Sequence, residues 1–164
     1  MGPRIHIQHV LLSLQPGGLE NGVVNIVNGL DPSRFRSSLC CLQSAGGFAS
    51  RVRAPDVSIH EMGLGRGNDY RLPWRLAWLF RRTRPDIVHT RNLEAFFYGF
   101  LGAKLAGVRT LIHSEHGRTF PDKWHRLWVQ RLFSRYTTTV FAVSEQLKRD
   151  LVREVGLPAA RIEV

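Results

Sequence analysis

The sequence predicts an α/β domain built on a doubly wound, mostly parallel sheet, and three observations carry that prediction. Short apolar runs alternate with amphipathic stretches along all 164 residues. The connections between runs are too long for hairpins, so successive strands lie parallel and are joined by right-handed crossovers. Turn residues such as Gly17-Gly18, Asp31-Pro32-Ser33 and Pro85-Asp86 punctuate the stretches.

Ile5 to Leu14 is the first strand, broken by Gly17-Gly18. Leu19 to Leu30 then places apolar residues at 19, 23, 26, 27 and 30, which is helical spacing, and Asp31-Pro32-Ser33 ends that helix. Arg36 to Leu42 is the second strand, followed by a Gly46-Gly47 turn and a short helix through Val52. Val57 to Met62 is the third strand, and Gly63 to Asp69 a polar, glycine-rich loop. Leu72 to Arg84 is a helix carrying Trp74, Trp78 and Leu79. Ile87 to Thr90 is a short fourth strand, and Leu93 to Ala106 an apolar helix stopped by Gly107. Thr110 to His113 is the fifth strand, and Pro121 to Tyr136 a long helix. Thr139 to Val143 is the sixth strand, with Ser144 placed to cap the helix that runs to Val155. Arg161 to Val164 begins a seventh strand.

The length fits one domain, and 43% hydrophobic residues supply a core for it. Such a pattern is Rossmann-like. Ligands in these sheets bind beyond the carboxyl ends of the strands, where strand order reverses. The loops after strands one, four, five and six are therefore the places to look.

The net charge is +10, and arginine supplies all but three of the 23 basic residues. This balance reads either as a surface that meets anions or as solvated cations with no partner. Cys40 and Cys41 are adjacent on a strand, face opposite ways, and point to core packing in a reducing compartment. No apolar run reaches membrane-span length and the start has no signal-peptide shape, so a cytoplasmic location is the expectation.

At the first loop, Gln15-Pro16-Gly17-Gly18-Leu19-Glu20-Asn21-Gly22, two glycines at a strand-to-helix turn let backbone approach a phosphate. They also suit a tight turn that needs positive φ. The spacing is not the dinucleotide fingerprint G-x-G-x-x-G. At the fourth exit, His89 reads as a hydrogen-bonded core histidine, while Arg91 and Asn92 lie past the strand within reach of a ligand. The fifth exit, His113-Ser114-Glu115-His116-Gly117-Arg118, gathers a carboxylate, an imidazole and a guanidinium. Histidine there suits proton transfer or hydrogen bonding to a substrate hydroxyl. A metal reading of His113, Glu115 and His116 fails, because 113 and 115 share one strand face and 116 the other. No G-x-S-x-G elbow is present.

Trp74 and Trp78, and Trp124 and Trp128, sit four apart on helices rich in arginine. Each helix alone reads as core-facing tryptophan with a basic rim. Both together, at this net charge, raise contact with an anionic membrane surface. Nucleic-acid binding has charge behind it and no motif.

Gly17-Gly18-Leu19-Glu20, Arg84-Pro85-Asp86-Ile87-Val88-His89-Thr90-Arg91-Asn92, Glu115-His116-Gly117-Arg118, Ala142-Val143-Ser144 and Gly156-Leu157-Pro158 with Arg161-Ile162 occur in this order. Together they resemble the N-terminal domain of family 4 glycosyltransferases. They look closer still to bacterial sugar transferases linked to exopolysaccharide and exosortase (PEP-CTERM) loci. The resemblance spans essentially the whole chain. It implies the acceptor-side half of a two-domain GT-B fold, which transfers sugar from a nucleotide-sugar donor to a glycan or lipid-linked acceptor, with retention and without a bound metal or other cofactor. It implies His116 as the catalytic contact, and Gly17, Gly18, Glu20, Asn21, Arg91, Asn92, Glu115, Arg118 and Ser144 as donor- or acceptor-binding. The family's C-terminal, donor-binding domain has no counterpart within residues 1–164, so turnover by this chain alone is not expected.

Overall fold

The computed structural model describes residues 2–117, Phe120 and 122–164. Seven strands, β1 (Ile5–Leu11), β2 (Phe35–Cys41), β3 (Ser58–Glu61), β4 (Ile87–Arg91), β5 (Thr110–Glu115), β6 (Thr139–Ala142) and β7 (Ile162–Glu163), form one sheet in the order β3-β2-β1-β4-β5-β6-β7. Every pairing is parallel. The order reverses between β1 and β4, so the crevice at the carboxyl edge opens there.

Five helices connect the strands: α1 (Gly18–Gly29), α2 (Leu72–Thr83), α3 (Asn92–Ala106), α4 (Trp124–Ser134) and α5 (Glu145–Asp150). The last continues as one π turn through Leu151–Val155, and a 3-10 turn at Gly47–Arg51 stands where the sequence predicts a short helix.

Strand alternation sorts the side chains into two layers. Val10, Cys40, Val88 and Leu111 pack under α2 and α3 against Leu76, Phe80 and Phe96. Leu11, Leu39 and Cys41 pack under α1 against Val23, Val24 and Val27. The two cysteines thus belong to opposite cores, both buried and free, as expected from adjacent strand positions. Val140 and Ala142 pack against Leu147, Leu151 and Val155 beyond the end of α4. The α1 face of β4, β5 and β6 is left with no described helix over it.

The tryptophans depart from the core-facing reading of their helices. Trp74, Trp78, Trp124 and Trp128 are 62%, 59%, 79% and 60% exposed. In α2 the stripe formed by Leu72, Leu76, Leu79 and Phe80 fills the core, and the second stripe, Trp74 and Trp78, turns outward. Arg82 lies over the Trp78 ring at 4.4 Å.

Candidate functional site

The loop after β1 is held from below. Leu14 N–H donates to Ala45 C=O and Phe48 N–H to Leu14 C=O, both at 2.8 Å. Gly46, at φ +73, permits this contact, because a Cβ there would stand 2.8 Å from Gln15 N and 2.9 Å from Leu14 C. Gly17 itself is extended, at φ −169, and Gly18 is not among the positive-φ residues. The turn explanation for this pair therefore fails. A Cβ on Gly17 would instead collide with the Glu20 carboxylate, which folds back against it. Gly18 has open space around it, so backbone N–H groups at the start of α1 are approachable. Asn21 lies half-buried on α1, its N–H given to Gly17 C=O.

β4 runs one residue longer than the sequence predicts, and β5 two residues longer. Arg91 is accordingly the last residue of β4, only 4% exposed, and not a loop residue. Glu115 is the last residue of β5, 1% exposed and turned toward α4, where Gln130 Nε2 donates to its Oε2 at 2.9 Å. His113, on the same face, stacks on Phe96 at 4.1 Å and lies 3.5 Å from the Glu115 carboxylate. Glu115 thus reaches the helix layer through Gln130.

Asn92 links the two exits. It sits at φ +61, where asparagine is among the few tolerated residues, and its Oδ1 accepts the backbone N–H of His116 at 3.1 Å. This bond fixes where the His116 ring leaves the strand. The ring is half-buried, with Nε2 turned inward and unpartnered. Burial and then the Arg91 charge push its pKa down to about 4, so the ring is neutral at physiological pH.

On the α1 face of the sheet a polar network continues inward. Arg91 Nη2 donates to Nδ1 of His89 at 3.3 Å, and Arg91 Nη1 makes a long, 3.5 Å contact with Ser114 Oγ. With Nδ1 accepting, the His89 ring hydrogen sits on Nε2, 2.7 Å from Ser114 Oγ. His9, register partner of His89, is 1% exposed with both ring nitrogens unpartnered. Burial, reinforced by Arg91, pushes its pKa down to about 3. His89 is therefore hydrogen-bonded, as expected, but it also borders a groove of about 340 Å³.

Gly17, Gly18, Arg91, Asn92 and His116 thus gather at one edge, on the exits of three adjacent strands. Ser144, on the next exit, is exposed, and its hydroxyl accepts from Leu147 N–H at 3.2 Å as the α5 cap. Arg118 lies outside the described residues. Sequence reasoning missed His9 and the pinning role of Gly46. Ser114 stood in the quoted motif without an assigned task.

Residues 16–164 match Glycosyltransferase Family 4. An Escherichia coli UDP-Gal:alpha-D-GlcNAc-diphosphoundecaprenol alpha-1,3-galactosyltransferase is 24% identical over 98% of this chain and 44% of its own length. The lipopolysaccharide outer core galactosyltransferase WaaB in its apo form superposes with a TM-score of 0.73 at 16% identity, covering 98% of this chain and 45% of that one. The UDP-GlcNAc 2-epimerase of Neisseria meningitidis bound to UDP-GlcNAc also superposes, with a TM-score of 0.65 at 17% identity over 98% and 45%. Transferases and an epimerase share this fold, so the fold alone does not name a reaction. The chain spans less than half the length of the relatives it matches. The family match covers nearly all of the chain, which therefore belongs to Glycosyltransferase Family 4.

Proposed function

We propose that this chain is the acceptor-side domain of a glycosyltransferase that moves a hexosyl group, with retention, from a nucleotide sugar to a lipid-linked glycan. The observation that carries the reading is the convergence of Gly17, Gly18, Asn92 and His116 on one sheet edge in a chain of this family. The E. coli relative uses a UDP-sugar and a diphosphoundecaprenol-linked acceptor, which supports the same two substrate classes here. A donor-binding domain supplies the other wall of the cleft, and this chain alone does not turn over. The reaction needs no metal, and the process served is exopolysaccharide or cell-envelope synthesis at the cytoplasmic face of the plasma membrane.

The test joins residues 1–164 to a family donor-binding domain and supplies labelled UDP-hexose with a bacterial lipid extract. Label should enter lipid only when both substrates are present. Epimerised or hydrolysed sugar without transfer to lipid would sink the reading.

Exposed tryptophans favour a second element, peripheral contact with an anionic bilayer. No described helix is long and apolar enough to cross a membrane. Trp74 borders a groove of about 750 Å³ between α2, α3 and α4, with Phe97, Leu101 and Phe133 in its floor and Lys123 and Arg126 at its rim. Tryptophan beside arginine suits the headgroup boundary. Vesicles containing phosphatidylglycerol should float the chain at ~0.1 M salt and release most of it at ~0.5 M, because screening shortens the attraction. The double substitution Trp74→Ala/Trp128→Ala should lower the bound fraction several-fold. Binding that ignores both salt and tryptophan removal would exclude this contact, whereas binding without any transfer would favour a non-catalytic membrane- or anion-binding module.

A further inference from the structure

The α1 face of the sheet holds a buried cation that no described residue neutralises. Arg91 is 4% exposed, and among the described residues no carboxylate stands within ion-pair distance of it. Its hydrogen-bond partners, His89 and Ser114, are neutral, and its Nε–H is buried without one. An uncompensated buried charge is costly, and a charged group so placed beside a groove marks a candidate site for an anion.

The hydrogen-bond directions say what that something is. Ser114 Oγ accepts from His89 Nε2–H, so its own hydrogen is free for another acceptor. The ring nitrogens of His9 and Nε2 of His116 are also buried without partners. Arg91, Ser114, His9 and His116 all border the groove of about 340 Å³, whose remaining walls include Ile7, Ile26, Leu30 and Phe141. Donors and one fixed positive charge converge there, with no carboxylate among the groove's lining residues.

We infer that this groove is a diphosphate-binding site in which Arg91 and Ser114 hold the anionic part of a substrate. A tetrahedral oxyanion accepts from several side chains at once, as this arrangement requires. The choice of diphosphate over another oxyanion rests on the proposed function, because both the UDP-sugar and the lipid acceptor of the E. coli relative carry one. The apolar walls suit an anion with an apolar body.

The probe is inorganic pyrophosphate, titrated at fixed ionic strength into the chain labelled at its histidine ring nitrogens. Saturable shifts at His9, His89 and His116 are expected, with acetate producing none. Arg91→Met should weaken pyrophosphate by at least about 10-fold, and Ser114→Ala by a smaller factor. Without ligand, Arg91→Met should raise Tm by about 3 °C, because an uncompensated charge leaves the interior. A structural arginine gives the opposite sign.

UDP and farnesyl diphosphate then compete against pyrophosphate, and the one that displaces it identifies the source. The inference is overturned if pyrophosphate fails to saturate, if Arg91→Met binds it equally well or fails to fold, or if neither competitor displaces it. Failure of sugar transfer with pyrophosphate still bound through Arg91 overturns the proposed reaction and leaves the site standing.

Discussion

Replacing His116 by alanine is expected to lower kcat/KM for transfer by about 10²-fold in the chain joined to a family donor-binding domain. The residue stands at the β5 exit with its backbone N–H held by Asn92 Oδ1 at 3.1 Å, which anchors the point from which the ring projects. Its pKa, pushed down to about 4 by burial and Arg91, leaves the ring neutral from pH 6 to pH 8. A neutral imidazole acts by hydrogen bonding to the reacting sugar, and such a bond counts in kcat when it strengthens in the transition state. His116→Gln keeps a neutral donor and should recover part of the loss. The pH profile should show no limb near 6.5 belonging to this residue. Full activity in the alanine variant removes His116 from the mechanism. A limb near 6.5 that vanishes with the ring means that the ring titrates as an ordinary histidine. Asn92→Ala, which frees the backbone and leaves the ring in place, should cost less and act on kcat more than KM.

The sheet was legible because short strand runs alternate with helical spacing and are separated by turn residues such as Gly17-Gly18, Asp31-Pro32 and Pro85-Asp86. Their ends were not. Arg91 and Glu115 extend β4 and β5 because each finds a place inside, Arg91 against His89 and Ser114, Glu115 against Gln130. Hydropathy scores a buried charged residue as loop, so an exit loop was read where strand continues.

The same limit hid His9. A histidine inside an apolar strand looks like a tolerated core residue until the register sets it opposite His89. Helical spacing found the tryptophans of α2 and α4 but not their side. Leu72, Leu76 and Leu79 compete with Trp74 and Trp78 for the core, and only the packing against α3 decides between the two stripes. The glycine pair was visible, yet its reason was not. Gly46, 29 residues beyond Gly17 in the chain, carries the positive φ that brings the two loops together.

Acid should unfold this domain early, and the sign follows from its histidines. Burial first, then Arg91, lowers the pKa of His9 to about 3, and the same two causes hold His89 well below its ordinary value. The unfolded chain binds protons at these rings near pH 6.5, and the folded chain does not until far lower pH. Between those limits the unfolded state carries more protons. Stability is therefore fully present above about pH 6.5 and falls as pH drops toward the folded values. For His9 alone the loss between pH 6.5 and pH 5 is about 2 kcal/mol, against a typical domain stability of about 5–15 kcal/mol. Adding His89 makes the expected fall in Tm on the order of 10 °C from pH 7.5 to pH 5. Thermal scans across that range check it, and His9→Phe should flatten the curve. A Tm unchanged down to pH 5 means the rings already carry protons in the fold. An anion seated against Arg91 would cancel part of the field that holds these rings neutral. Pyrophosphate should then raise Tm more at pH 5.5 than at pH 7.5, because proton uptake and anion binding favour each other at this groove.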